Sequence, residues 1–161
     1  MTVVSNTSPI TNLAAVNQLN LLQQLYGNII IPEAVFQELT GIDNPVPGGN
    51  EVQTFEWIQT RQVINRDQVT ALRLELDEGE CEAIVLAMEL NANRLLIDER
   101  RGRTIAVNLG LKITGVLGIL IVAKRRGLIK GVKPILDDLI RTARFRVSES
   151  LYTQILQDVA E

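Results

Sequence analysis

Acidic residues stand where strands should end. The short apolar run Leu95-Leu96-Ile97 is followed at once by Asp98-Glu99. Near the start, Asn6 follows the stretch Thr2 to Ser5, which reads as a short buried strand. In open parallel sheets, ligands bind outside the carboxyl ends of the strands. If these two strands are neighbours, Asn6, Asp98 and Glu99 share one crevice. Glu38 lies within Ala34-Val35-Phe36-Gln37-Glu38-Leu39, after a second β-branched strand over Asn28 to Ile31. Glu78, Glu80 and Glu82 open a helical run that extends to Asn93. Spacing puts Glu78 and Glu82 on one helix face and turns Glu80 elsewhere. Each acid also has a plainer reading. Glu78 and Glu80 suit a helix N-terminus, Glu82 and Glu89 a solvated stripe, and Glu38 an ordinary surface position.

The chain contains no histidine, which excludes Ser–His and Cys–His catalytic pairs and zinc sites built on imidazole. Converging carboxylates repel one another unless a cation neutralises them. Hard oxygen ligands select Mg2+ or Mn2+. Such an ion activates water and stabilises charge on an attacked phosphate, a route to nuclease chemistry without histidine.

The charge pattern fits a polyanion substrate. Residues 1–93 hold three Arg against twelve Asp/Glu, net −9, while residues 94–146 hold thirteen Lys/Arg against four Asp/Glu, net +9. Arg100, Arg101 and Arg103 follow the acidic pair directly. Lys124-Arg125-Arg126, Lys130, Lys133, Arg141, Arg144 and Arg146 come later. These cations suit a phosphodiester backbone and read no sequence. With three Phe, two Tyr and one Trp, few rings are available to stack bases.

Positioning these residues requires a scaffold, and the 161-residue chain fits one domain over 1–161. Strand-like runs alternate with helical ones, which predicts an α/β fold with a short, mostly parallel central sheet covered on both faces. Helices are expected over Thr7 to Val16, Leu19 to Leu25, from Pro32, from Asp67 to about Leu76, and over Glu78 to Asn93. Further helices are expected over about 101–109, Gly115 to Arg126, Val132 to Ala143, and from Ser148 to about Ala160. Strand pieces are expected at Trp57-Ile58, Val63-Ile64 and Leu111-Lys112-Ile113, and a loop at 40–49. Cys81 falls in an apolar helical run, as a packing residue rather than a nucleophile. One cysteine, no signal-like start and no span-length apolar run point to a cytoplasmic protein with no membrane segment.

The blocks VVSNTSPI, IIIPEAVFQEL, LDEGECEAIVLAMEL, LLIDERRGRTIA and GLKITGVLGILIVAKRRGLI, in this order, resemble PIN-domain proteins. They are most similar to the VapC-type, toxin-like branch. The resemblance implies a three-layer α/β/α fold. It also implies an Mg2+- or Mn2+-dependent endoribonuclease, usually a homodimer, blocked by a small antitoxin protein. Carried over by position, the family's acids fall on Asn6, Glu38, Glu82, and Asp98 or Glu99, and its hydroxyl residue on Ser8. RNA would be held by Ser8, Arg100, Arg101 and Arg103. Asn6 departs from the pattern, because the family's first ligand is usually aspartate. A neutral amide there makes a catalytically weak or inactive module, binding RNA or a protein partner, the competing reading. A phosphoacceptor receiver domain also sets acids at strand ends. It would need an acidic pair at Ser5-Asn6 and a lysine near Gly115.

Overall fold

The computed structural model describes residues 1–41 and 46–161. Five parallel strands form one sheet: β1 (Val3–Ser5), β2 (Ile29–Pro32), β3 (Ile58–Arg61), β4 (Arg94–Leu96) and β5 (Ile113–Thr114). Their spatial order is β3-β2-β1-β4-β5. The order of succession reverses between β1 and β4, which makes that junction the switch point where a crevice opens. Ser5 pairs with Leu96, and Asn6 N–H donates to Leu96 O at 2.9 Å. The condition set by the sequence is therefore met: Asn6 and Asp98 leave adjacent strands at nearly the same level.

Alternation along the strands builds two cores. Val3, Ile29, Ile31 and Leu96 face one hydrophobic cluster, whereas Val4, Ile30, Leu95 and Ile97 face the other. Both faces of β1 and β2 are buried, as the centre of a covered parallel sheet demands, whereas the edge strand β3 exposes Gln59, Thr60 and Arg61. The first face carries α1 (Thr7–Ala15), α2 (Asn20–Tyr26), α8 (Val116–Arg125) and α9 (Lys133–Thr142). Ile155 of α10 (Glu149–Asp158) and Val35 and Leu39 of α3 (Glu33–Thr40) join this cluster. The opposite face carries α5 (Arg66–Leu72), α6 (Glu78–Glu89) and α7 (Arg100–Asn108). The α/β/α layering expected from the sequence is present.

Local differences have physical causes. A short helix, α4 (Gly49–Thr54), buries Val52 where the sequence offers only a loop and an ambiguous stretch. The loop expected over 40–49 lies partly outside the described residues. Val63-Ile64 is no strand: Val63 is buried, Ile64 is exposed, and Glu89 accepts from the Ile64 and Asn65 N–H groups. Helix α5 starts at Arg66 because Asn65, not Asp67, caps it by accepting from Gln68 N–H. The last strand lies slightly later than expected, because Ile113 and Thr114 are the residues level with Leu95 and Leu96. Among the described residues, no helix is long and apolar enough to cross a membrane.

Candidate functional site

Asn6 is 3% exposed and precedes α1 with extended backbone, yet its side chain does not cap that helix. Its amide is thus not spent on the nearest backbone donors. Glu38, exposed on α3, accepts a hydrogen bond from the Thr7 hydroxyl at the start of α1. This contact joins the segment after β1 to the helix after β2.

Asp98 leaves β4 beside Asn6. Its Oδ1 accepts from Val116 N–H at 2.9 Å, fixing it to the first turn of α8. Its Oδ2 is buried and has no hydrogen-bond partner among the described residues. Burial raises the Asp98 pKa, opposed by the Val116 hydrogen bond and by the Arg103 charge. Arg103 also donates from Nη1 to Ile97 O at 3.3 Å. Glu99 precedes α7, is exposed, and makes no cap of its own.

Helix α6 begins with a capping box. Asp77 accepts from Glu80 N–H at 2.8 Å, and Glu80 Oε1 accepts from Asp77 N–H at 3.3 Å. Glu80 is 7% exposed. Burial, then the Asp77 charge, with a smaller push from Glu99, raise its pKa to about 7. Glu78 and Glu82 both meet Arg66, at 3.8 and 2.9 Å, so they share a face as the spacing suggests, and Glu80 turns elsewhere, toward Gly102 of α7.

Glu82 is differently employed. Its Oε1 accepts from Ala34 N–H at 3.1 Å, and its Oε2 accepts from Arg66 Nη1 at 2.9 Å. It is 4% exposed, so it is a buried strut rather than part of a solvated stripe. The carboxylate satisfies a first-turn donor of α3 and ties α6 to α5. Cys81 is fully buried and its thiol is pushed up to about 11, chiefly by burial, which makes it inert as a nucleophile.

The crevice opens into a groove of about 1210 Å³ that includes Ser8, Asp98, Glu99, Arg100 and Arg103. Farther along, the same groove is flanked by Arg125, Arg126, Arg144 and Arg146. Four other basic residues are committed elsewhere. Arg101 pairs with Glu75 at 3.3 Å, Lys124 with Glu161 at 2.9 Å, Lys133 with Asp137 at 2.8 Å, and Arg141 with Asp138 at 3.0 Å. Among the described residues, the arginines that line the groove make no ion pair.

A family model described as a PIN domain matches residues 2–161. The chain belongs to the PIN-domain family. No curated relative matches the sequence. The PIN fold is a nuclease fold, and here Asp98 and Glu99, at the end of β4, line the groove. Within this PIN domain, Asn6, Asp98 and Glu99 come to the switch point as the sequence suggests. Ser8 reaches the groove, but Thr7 is the hydroxyl that touches Glu38.

Sequence reasoning passed over Glu80 and Thr7. Helical spacing alone could not have found Glu80, because α6 is buried on every side from Gly79 to Ala87 and offers no polar face to orient by. The Asp77–Glu80 spacing of a capping box was the available signal. It points to the helix start, where Glu80 lies against Gly102 of α7. Among the described residues, no group of three or more Asp, Glu or Cys side chains already stands in metal-holding geometry.

Proposed function

We propose that this PIN domain is a divalent-metal-dependent endoribonuclease, the toxin of a toxin–antitoxin pair, with its site at the β1/β4 switch point. The observation that carries this reading is the unpartnered, buried Asp98 Oδ2 at the head of an arginine-lined groove. A buried carboxylate oxygen without a donor is costly unless a proton or a cation meets it. The donors fit a hard cation: Asp98, Glu80, Glu99 and Glu38 offer carboxylates, and Asn6 offers an amide oxygen. Glu80 takes the ligand role in place of Glu82, both of whose carboxylate oxygens are already hydrogen-bonded.

When bound, Mg2+ or Mn2+ would supply an activated water and stabilise negative charge on the attacked phosphate. The chain's own residues do the rest. Arg100 and Arg103 neutralise the phosphodiester nearest the crevice, and Arg125, Arg126, Arg144 and Arg146 hold the backbone beyond it. Asp98 is fixed in place by Val116 N–H. Thr7 fixes Glu38. Few aromatic rings line the groove, so backbone contacts outweigh base stacking.

By the same resemblance we read the chain as one domain, cytoplasmic and homodimeric, with a small antitoxin protein that closes the groove. Leu117, Ile121 and Val122 of α8 line that groove half-buried, whereas the apolar residues of α1 and α2 serve mainly the core.

Asn6 favours a second reading, a PIN module that binds RNA without cutting it, because an amide brings no charge to the cation. Incubating the purified protein with single-stranded RNA and Mn2+, beside Asn6→Asp, separates the two. Cleavage by both supports the enzyme. Cleavage by Asn6→Asp alone supports the silent module. Cleavage by neither, with no Mn2+ binding, removes the nuclease reading.

A further inference from the structure

Three glycines in this chain each face one carboxylate of the crevice, and backbone freedom explains none of them. The positive-φ glycines are Gly27, Gly48, Gly110 and Gly127; Gly79, Gly102 and Gly115 are not among them. Gly79 and Gly102 lie inside helices, where glycine is a poorer choice than alanine. Each therefore needs another reason to be glycine.

The space a Cβ would take supplies that reason. At Gly102 it would lie 2.7 Å from Glu80 Oε2 and 2.8 Å from Ile97 Cδ1. At Gly115 it would lie 2.5 Å from Arg103 Nη1 and 2.8 Å from Asp98 Oδ1. At Gly79 it would lie 3.0 Å from Glu38 Oε2. The pattern crosses elements: α6 makes room for the carboxylate of α3, α7 for that of α6, and the start of α8 for that of Asp98, which follows β4.

We infer that Gly79, Gly102 and Gly115 are positioning residues, notches that seat Glu38, Glu80 and Asp98 against helix backbones. The inference rests on the nuclease reading for its purpose, though the seating itself does not. Most of the atoms in the way are ends of flexible side chains. An added methyl group thus displaces a carboxylate more readily than it disrupts the core. Alanine's better helix propensity offsets part of the strain within α6 and α7. A notch should betray itself by a changed site in a fold of nearly unchanged stability. A glycine needed only for packing would lose stability first. Gly79 should matter least, because Glu38 is exposed and the approach there, 3.0 Å, is the mildest of the three.

The test is Mn2+ titration calorimetry on the full chain and on Gly79→Ala, Gly102→Ala and Gly115→Ala, with melting temperatures and hydrogen exchange at Val116 N–H. Gly102→Ala and Gly115→Ala are expected to weaken Mn2+ binding about tenfold or more, the scale of changes to residues supporting a metal ligand. Melting temperatures should stay within a few degrees, and Gly79→Ala should lose less than about threefold. Gly115→Ala should also lower Val116 protection about tenfold, since Asp98 Oδ1 holds that amide. Unchanged Mn2+ affinity in Gly102→Ala and Gly115→Ala would overturn the inference. If the unmodified chain binds no Mn2+, the nuclease reading falls, and Val116 exchange decides the seating alone: unchanged protection overturns it. Should Gly115→Ala fail to fold, Gly102→Ala decides by the same titration, or by whether Asp77 N–H, the donor to Glu80, loses protection.

Discussion

Val116 N–H donates to Asp98 Oδ1 at 2.9 Å, tying the first turn of α8 to the residue that leaves the central strand pair. The hydrogen bond commits one oxygen of Asp98 to the scaffold and leaves Oδ2 buried without a donor among the described residues. A single side chain thus links the arginine-lined groove along α8 to the switch point of the sheet.

Asp98→Asn should separate folding from function. Burial raises the Asp98 pKa, so the folded state disfavours its charge, and that cost grows as pH rises out of the carboxylate range. The amide keeps an acceptor for Val116 N–H and removes the charge. Without metal, the melting temperature at pH 7 should be unchanged or higher. RNA cleavage should fall by about 100-fold, the loss expected when a charged group acting at the reaction centre is removed.

Glu80 makes stability pH-dependent in a defined direction. Its folded pKa of about 7 lies above the ordinary glutamate value. The fold therefore prefers the protonated acid. Its stability contribution is intact below about pH 4.5 and is lost as pH rises toward 7. Glu80→Gln should stabilise the metal-free protein at pH 8 by on the order of 1–3 kcal/mol. Melting curves from pH 5 to 8 should be flatter for this variant than for the unmodified chain.

Glu82 should behave in the opposite way. Glu82→Ala leaves Ala34 N–H without its acceptor and Arg66 without its closest partner, so a loss of about 2–4 kcal/mol is expected. Glu82→Gln keeps an acceptor and should lose less. In chemical denaturation Glu82→Ala should rank well below Glu80→Ala, and the folded Glu82→Gln protein should keep cleavage within a few fold.

Glu161 fastens α8 to α9. Its carboxylate accepts from Lys124 Nζ at 2.9 Å, Val132 N–H at 2.7 Å and Lys133 N–H at 3.0 Å. Burial pushes its pKa up, but these three donors outweigh that and hold it at about 2. The depressed value means the stabilisation is present above about pH 4.5 and fades as pH falls toward 2. Glu161→Gln should cost on the order of 1 kcal/mol at pH 7, after screening, and only a small part of that at pH 2. Denaturant titrations at both pH values check this.

The arginine rim predicts a salt signature. Each phosphate contact removed should lower the slope of log K against log salt by about 0.7 for single-stranded RNA. Replacing Arg144 and Arg146, which line the groove, should reduce the slope by about 1.4. Replacing Arg141, already paired with Asp138, should leave it nearly unchanged.

Much of this was legible from residue order. Leu95-Leu96-Ile97-Asp98 announces a buried strand with an acid at its end, and Val3–Ser5 before Asn6 announces its neighbour. Parallel pairing of the two then follows from the helices between them. The failures arise where one-dimensional spacing leaves rotation undetermined. Spacing groups Glu78 with Glu82 but does not say which side of α6 meets the crevice, and α6 is too deeply buried to show a polar face. Helix α4 escaped notice because its six residues bury little beyond Val52. Arginines that line the groove and those already paired look alike in sequence, because the partners Glu75 and Asp138 are specified by geometry.

The most direct measurement is the position of Mn2+ in crystals soaked with that ion, located by its anomalous scattering. The account predicts a peak within coordination distance of Asp98 Oδ2 and of Glu80, at the mouth of the arginine groove. No peak at Asp98 under saturating Mn2+, or a peak at Glu82 with Asp98 left unliganded, would contradict it.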